Sequence, residues 1–330
     1  MFRRRNDSLT QRLAVRVLAM VVVALLAAGA TAVAQEGGKQ QMLQKLREAA
    51  PGKGYVKAHE DLQEPQPLLG GPIEVSISQQ GGTAFVALPD RRELDPRVFG
   101  TPDMPRSIRG TPAIYGVPPL ARGVEDGEYT VFKQPSPFGD KTTTMEARQL
   151  QLQATDATAT DAATTEDRVR FRASWEDEQG NTYEVRCCEK LATHGMEFPT
   201  FGGVVTNTIL HGFSGIGTAL MPSEYAYFAF WGMGEVRKNG EVMDKPRLIH
   251  TMLTEYVRTE GYELAFDEEV DPKAKHFHIM VAPFMPDPEN LSYTQDPVRT
   301  GFTLPNGKQL PFWHVMFEDV AISSDRVSQR

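Results

Sequence analysis

The sequence predicts a mostly β protein, an antiparallel β-sandwich or barrel, with a short N-terminal helix and an extended Pro/Gly-rich N-terminal section. Three observations support this prediction. Apolar and polar residues alternate in many short stretches, Gly, Pro, Asn and Asp separate these stretches, and few segments have helical composition. Alternation with a period of two is typical of half-buried strands. Many short strands with turn signals between them indicate a sandwich or a barrel.

The 330 residues divide into five sections by composition. In chain order they are a signal peptide (1–34), a short helix and linker (35–63), a Pro/Gly-rich β section (64–154), a Thr/Ala/Asp-rich loop (155–167) and a main β domain (168–330). The helix is predicted over Lys39–Ala50, because Pro51-Gly52 would end it.

Strands are predicted in the last four-fifths of the chain, where runs of alternating residues lie between turn residues. The predicted strands are Ile73–Ser78, Ala84–Leu88, Glu128–Lys133, Met145–Thr155, Arg168–Trp175, Thr182–Lys190, Val204–Leu210, Tyr225–Val236, Leu248–Val257, Tyr262–Phe266, His276–Phe284 and Phe312–Val320.

The N-terminus has the pattern of a secretion signal. Five arginines lie within the first 16 residues, the stretch Val17–Ala28 is small and apolar, and Ala32-Val33-Ala34 supplies a cleavage motif. The apolar stretch is shorter than the ~20 residues of a membrane span, so cleavage is favoured over a permanent anchor. We expect export to the periplasm or outside the cell, with cleavage near Ala34-Gln35 and no stable membrane span in the mature chain.

The charge balance bears on possible partners. The formal net charge is −8, and removal of the basic signal would make it about −12. Phosphate contacts need clustered Lys and Arg, so nucleic acid is not an expected partner. We interpret the acidity as an aid to solubility, and another envelope protein is a possible partner.

Four of the seven histidines are followed two residues later by methionine. Random placement would give about 0.3 such pairs at this composition. Residues i and i+2 of a strand lie on the same face, so each pair can present an imidazole beside a thioether. Neutral nitrogen with soft sulfur suits copper better than magnesium or calcium. The pairs are His194-Gly-Met196, His250-Thr-Met252, His278-Ile-Met280 and His314-Val-Met316.

The four pairs differ in their surroundings. In the predicted strand at 276–284, His276, His278 and Met280 lie opposite an apolar face. In the strand at 312–320, His314 and Met316 also lie opposite an apolar face. If these two strands are neighbours, three imidazoles and two thioethers would meet in a polar pocket. The pair at 250 and 252 shares its face with apolar residues, and the pair at 194 and 196 is predicted in a loop.

These positions give a candidate copper site without a nucleotide cofactor. Taken singly, a histidine is most often a hydrogen-bonded structural residue, and a strand methionine most often fills a core. The combination favours metal binding, and the pair of imidazoles at i and i+2 is its strongest part. The expected ligands are His276, His278 and His314, with Met280 and Met316 as soft ligands and His250 and Met252 as further candidates.

The two cysteines, Cys187 and Cys188, are adjacent in the return strand of a predicted hairpin whose turn contains Gly180-Asn181. A bridge between neighbours would be strained, so they are not a folding staple of the usual secreted kind. We expect two reduced thiols, Cys187 in the core and Cys188 more exposed. Metal ligation or an intermolecular bridge are the alternatives.

Other catalytic motifs are incomplete. The glycines of 211–218 do not form a dinucleotide-binding fingerprint, and Ile216 occupies the place of the second glycine in a nucleophile elbow. We expect these glycines to form a tight turn. The sequence also lacks a His-Glu-x-x-His zinc-protease motif.

Three families share small parts of the pattern. The His-x-Met strands resemble periplasmic copper carriers with a cupredoxin-like sandwich, although further ligand spacings of those domains are not reproduced. His276-x-His278 with Met316 or Met280 is similar to the dioxygen-binding copper site of ascorbate-dependent copper monooxygenases, which implies an oxidoreductase, but their His-His pair is missing. Cupins also use His-x-His, with a following glutamate that Ala282 and Pro283 replace here. Each resemblance covers a handful of residues, and the chain is assigned to none of these families.

The leading functional hypothesis is therefore an exported protein that binds copper for carriage, storage or delivery. The alternatives are a copper-dependent, monooxygenase-like oxidoreductase, or an envelope binding or structural module without metal. Whether the chain is an enzyme stays open on sequence alone.

Overall fold

Antiparallel strands dominate the computed structural model of the chain. The residues described are 68, 70–90, 92–106, 119–130, 137–157, 167–188, 204–214, 218–287, 292–324 and 326–327. All of them belong to one compact unit that spans 46–330. The predicted signal peptide, the predicted helix at 39–50, His59 and the pair at 194 and 196 lie outside the described residues.

The strands within the described residues are numbered in chain order. They are β1 (Ile73–Gln80), β2 (Thr83–Ala87), β3 (Gly123–Glu125), β4 (Glu128–Thr130), β5 (Thr142–Asp156), β6 (Arg168–Glu176), β7 (Thr182–Cys187), β8 (Val204–Leu210), β9 (Glu224–Lys238), β10 (Glu241–Val242), β11 (Arg247–Tyr256), β12 (Asp271–Val281), β13 (Phe284–Asp287), β14 (Ser292–Gln295), β15 (Trp313–Phe317) and β16 (Ala321–Ser323).

Helical structure among the described residues is limited to single turns. A four-residue α-helix, α1 (Pro96–Phe99), is capped by the side chain of Asp95, which accepts a hydrogen bond from the Arg97 amide. Short 3₁₀ turns cover Pro119–Ala121, Gly212–Ser214 and Asp267–Glu269. No helix in this part of the chain has the length and apolar character needed to cross a membrane.

One large antiparallel sheet contains twelve of the described strands. Eight of them pair in chain order, β2 with β5 and then β6, β7, β9, β11, β12 and β15. The last of these, β15, pairs with β2, so the series of pairings returns to its start. Strands β1 and β16 extend the sheet beside β5, and β8 and β10 pair with β9. Two separate hairpins are formed by β3–β4 and β13–β14.

Most predicted strands are present, with ends shifted by a few residues. The exception is the predicted strand at 262–266, which is wrong. The chain there makes a turn, in which the Tyr262 amide bonds the Thr259 carbonyl at 2.9 Å and Tyr262 has a φ of 65°. Only an isolated bridge joins Leu264 to Arg258. The apolar alternation of this segment serves burial of Leu264 and Ala265 under a loop rather than strand pairing.

The section 64–154 is not separate from the main sheet. It supplies β1, β2 and β5, which pair with strands of the section 168–330. The main core lies on one face of these strands and is dominated by aromatic rings. Trp175 packs against Trp313 at 5.2 Å between ring centroids, and both side chains are fully buried. Burial of such large apolar surfaces is the main driving force for folding of the sheet.

The cysteines depart from the sequence-based expectation. The structure joins Cys187 and Cys188 to each other as a vicinal disulfide rather than two reduced thiols. Cys188 is as buried as Cys187, with 8% of each residue exposed, because both lie against the glycines of β9. The predicted hairpin itself is confirmed, and Asp177 closes its turn through the Asn181 amide at 2.8 Å.

Candidate metal centre

The predicted His-x-Met pairs of β11, β12 and β15 are brought together by strand pairing. Across β11 and β12, His250 lies opposite Met280, and Met252 lies opposite His278. Across β12 and β15, His278 lies opposite Met316, and Met280 lies opposite His314. Imidazoles and thioethers therefore alternate both along and across three neighbouring strands. We call these six side chains the His/Met face.

The His/Met face lies on the side of the sheet away from the main core. Its opposite side carries Ile249, Phe277, Ile279 and Val315, which belong to the core. The condition on which the predicted site depended, that β12 and β15 are neighbours, is met, and the assignment of their two faces is confirmed.

The His/Met face is buried rather than open to a pocket. Its six side chains are 2–7% exposed, and His276 beside them is 1% exposed. Segments 137–140 and 211–214 contact the face, segment 257–264 contacts His276, and Met221 of segment 218–222 packs against Phe138. We call these four segments the covering layer. Phe138 of this layer packs edge-on against the His314 ring at 6.0 Å and also contacts the apolar cluster around Met280. Burial on both sides makes the expected polar pocket a closed layer.

Two imidazoles of the His/Met face approach each other beneath the covering layer. The Nδ1 atom of His278 lies 3.1 Å from the Nε2 atom of His314. On its other side, His314 donates its Nδ1 proton to the Pro137 carbonyl at 2.9 Å, which leaves Nε2 with a lone pair in the neutral ring. The Nε2 atom of His278 lies 3.2 Å from the Thr254 hydroxyl. That hydroxyl is also 2.7 Å from the Glu255 carbonyl, to which it can donate its proton.

The third predicted nitrogen ligand is engaged elsewhere. His276 Nε2 accepts a hydrogen bond from the Val257 amide at 3.3 Å. Its ring lies 4.0 Å from the His278 ring and 4.7 Å from the Tyr256 ring, measured between centroids. His276 therefore positions both the His278 ring and the first residue of segment 257–264.

His250 occupies the far side of the face. Its Nδ1 atom bonds the Phe230 carbonyl at 2.7 Å, and its ring stacks on Trp231 at 4.3 Å. Its strand neighbour Met252 makes a different contact, because its sulfur lies 3.3 Å from His211 Nε2. The pair at 250 and 252 thus makes its polar contacts with residues other than His278 and His314.

Burial keeps the imidazoles of this layer neutral. It lowers the pKa of His314 to about 3 and that of His250 to about 4, and for His314 the nearby Arg258 adds to the effect. Burial also lowers the pKa of His276 and His278 well below the usual value, with neighbouring imidazoles and Arg258 contributing. Neutral imidazole is the form that binds metal ions.

Buried charges hold the covering layer in place. The Arg258 guanidinium donates to the carbonyls of Gly139 at 3.0 Å and Tyr262 at 2.9 Å. Arg92 donates to the Leu220 carbonyl, and Asp140 accepts from the Leu264 amide at 3.1 Å. Burial lowers the pKa of Arg258 to about 10, a value at which the guanidinium keeps its charge near neutral pH.

Three buried residues beside the His/Met face belong to no sequence motif that predicts a site. His211 is not part of a His-x-Met pair, yet it contacts Met252 and lies 3.7 Å from the Glu224 carboxyl. Glu224 and Thr254 are almost fully buried. The predicted tight turn at 211–218 is present in its described part. His211 and Gly212 both have positive φ, and a Cβ on Gly212 would collide with the Ser223 backbone.

The described residues contain no group of three or more His, Cys, Asp or Glu side chains arranged to hold a metal ion. A metal centre in this layer would therefore depend on thioether sulfur as well as on imidazole. Comparison of the chain with protein-family models, with curated proteins and with solved structures finds no match.

Proposed function

We propose that this chain is an exported protein that binds copper for carriage, storage or delivery, and that it holds Cu(I) between His278 and His314. The observation that carries the proposal is the 3.1 Å approach of His278 Nδ1 and His314 Nε2 inside a face of alternating imidazoles and thioethers. The His-x-Met pairs of β11, β12 and β15, together with the register of these strands, produce this alternation.

The hydrogen bonds allow two proton arrangements at this pair. In the first, the Thr254 hydroxyl donates to His278 Nε2, and His278 donates its Nδ1 proton to His314. In the second, Thr254 donates to the Glu255 carbonyl at 2.7 Å and accepts the Nε2 proton of His278. The second arrangement leaves two lone pairs facing each other at 3.1 Å, and a cation between them removes the repulsion.

A metal ion fits the second arrangement. Burial and Arg258 keep both rings neutral, and neutral imidazole is the form that binds metal ions. Metal–nitrogen bonds of about 2 Å fit two nitrogens about 3 Å apart. The Pro137 carbonyl and the Thr254 hydroxyl would fix the tautomers from behind, as is usual for histidine ligands.

The donor set favours a soft monovalent ion. Met280 and Met316 lie opposite His314 and His278 on the neighbouring strand, where their thioethers can complete the coordination. Thioethers keep their affinity for Cu(I) without losing a proton, so such a site remains usable at low pH. In this proposal His276 is a positioning residue. The burial of the pair favours retention of the ion over turnover of a substrate.

Export and architecture belong to the same proposal. The sequence motif at 32–34 supports cleavage near Ala34-Gln35, and an exported protein can meet copper outside the cytoplasm. We further infer that the ring of eight paired strands closes as a barrel, with the His/Met face on its outer side. Mass measurement of the mature chain tests the cleavage site.

The decisive experiment is a Cu(I) titration of the metal-free mature chain under reducing conditions, in competition with a chromophoric Cu(I) chelator. We expect about one tightly held equivalent. His278→Gln and His314→Gln should each weaken binding at least tenfold, whereas His59→Ala should not. Less than about a tenth of an equivalent in the wild type, or equal affinities in all variants, would exclude this function.

The first proton arrangement favours a second candidate, an envelope binding or structural module without metal. In that arrangement every nitrogen of the His278–His314 pair has a hydrogen-bond partner, so the layer is stable as polar packing. This candidate predicts no copper retention and no change in melting temperature on addition of Cu(I).

A further inference from the structure

A second group of unlike donors lies at the other end of the buried layer. His211 Nε2 is 3.3 Å from the Met252 sulfur and 3.7 Å from the nearer Glu224 oxygen. His211 is 5%, Met252 3% and Glu224 1% exposed. We propose that His211, Met252 and Glu224 form a separate site for divalent copper.

The spacing of the three donors fits a shared ion. Metal–nitrogen and metal–oxygen bonds are about 2.0–2.2 Å and bonds to sulfur are somewhat longer, so donor atoms of one ion lie about 3–4 Å apart. The two measured separations fall within that range. Imidazole with carboxylate is a usual set for Cu(II), and a thioether is a common weak additional ligand of copper.

Glu224 is the observation that points to a ligand. Both of its oxygens are completely buried, and neither makes a hydrogen bond of normal geometry among the described residues. Burial raises the pKa of Glu224 well above its usual value, and the Thr254 hydroxyl only partly offsets this. A buried carboxyl group without strong hydrogen bonds is costly, and a bound cation would supply the partner that its oxygens lack.

The electrostatic surroundings of Glu224 favour a cation. The amides on either side of it, of Ser223 and Tyr225, hold the carboxylates of Asp267 at 2.7 Å and Glu255 at 3.0 Å. Both carboxylates act on Glu224 as nearby negative charges. The His278–His314 pair instead lies near Arg258. A divalent ion is therefore favoured beside Glu224, and a monovalent ion at the imidazole pair.

The two sites are neighbours across one strand pair. Met252, which contacts His211, lies directly opposite His278 in the register of β11 and β12. This inference rests on the copper chemistry of the proposed function, but the new site uses neither His278 nor His314 as a ligand. The two proposals can therefore fail independently.

The test is equilibrium dialysis of the metal-free mature chain against Cu(II) in air, with electron paramagnetic resonance of the bound ion. We expect about one equivalent, with a spectrum that shows a single coordinating imidazole. Glu224→Gln, which keeps the shape of the neutral acid, and His211→Gln should each weaken binding at least tenfold. Glu241→Gln on the exposed strand β10 is the matched control and should bind as the wild type does.

Circular dichroism checks that each variant is folded. Met252→Leu keeps the core volume and should change the spectrum without abolishing binding. Unchanged Cu(II) affinity in folded Glu224→Gln, or no Cu(II) retained by the wild type, overturns this inference. If the chain binds Cu(II) but not Cu(I), the inference stands and only the function proposed for the His278–His314 pair is overturned. If it binds Cu(I) but not Cu(II), the proposed function stands and this inference is overturned.

Discussion

Acidification should destabilise the metal-free protein steeply, because five imidazoles are buried in neutral form within or beneath the covering layer. They are His211, His250, His276, His278 and His314. Burial lowers the pKa of each, to about 3 for His211 and His314 and about 4 for His250. In the unfolded chain a histidine has a pKa near 6.5. Between these values the unfolded state binds more protons than the folded state, so stability falls as the pH falls.

The magnitude follows from proton linkage. From about pH 7.5 to about pH 5, His211, His250 and His314 each lower the free energy of unfolding by about 2 kcal/mol, or about 6 kcal/mol together, and His276 and His278 act in the same direction. Glu224 acts in the opposite direction, because burial raises its pKa well above the usual value and the unfolded chain then binds fewer protons there. It therefore offsets part of the loss from the histidines. A typical domain has only about 5–15 kcal/mol in total.

Urea unfolding followed by tryptophan fluorescence, repeated across this pH range, measures the effect directly. The midpoint should fall steeply while the slope of the transition stays constant. His250→Phe removes one buried imidazole and should retain about 2 kcal/mol more of its stability on acidification than the wild type. A free energy of unfolding that changes by less than about 2 kcal/mol over the range would show that these imidazoles are not held neutral by burial.

Three substitutions, two of them with a matched control variant, test individual contacts by chemical unfolding. Thr254→Val should lower the free energy of unfolding by about 1–3 kcal/mol, because it leaves His278 Nε2 and the Glu255 carbonyl buried without their hydrogen-bond partner. Thr251→Val is the control: it removes a buried hydroxyl that makes no hydrogen bond, so it should be neutral or stabilising. Gly234→Ala should destabilise the protein by more than about 1 kcal/mol, because the added Cβ would collide with the Arg186 carbonyl. Gly261→Ala is the control, since a Cβ there meets no close neighbour. Equal stability of the two variants would contradict the close approach of β7 to Gly234. Trp175→Ala should cost about 3–5 kcal/mol.

Most of the fold could be predicted from local pattern. Alternation over Arg168–Glu176 and the Gly180-Asn181 turn specify a hairpin, because a strand with one buried face has only one compatible register. The segment at 262–266 shows the limit of this method. Five residues of mixed polarity carry no information on whether a partner strand is available, and here none of the described strands pairs with them.

The sequence also determined which side of β12 and β15 carries the His/Met face, since side chains alternate strictly between the two sides of a strand. Only the tertiary structure determined which residues contact that face. The approach of His278 to His314, the Val257 amide on His276 and the contact of His211 with Met252 all join residues from different segments. No local pattern encodes such contacts. Burial, and with it the neutral state of the imidazoles, was decided by how the covering layer packs against the sheet.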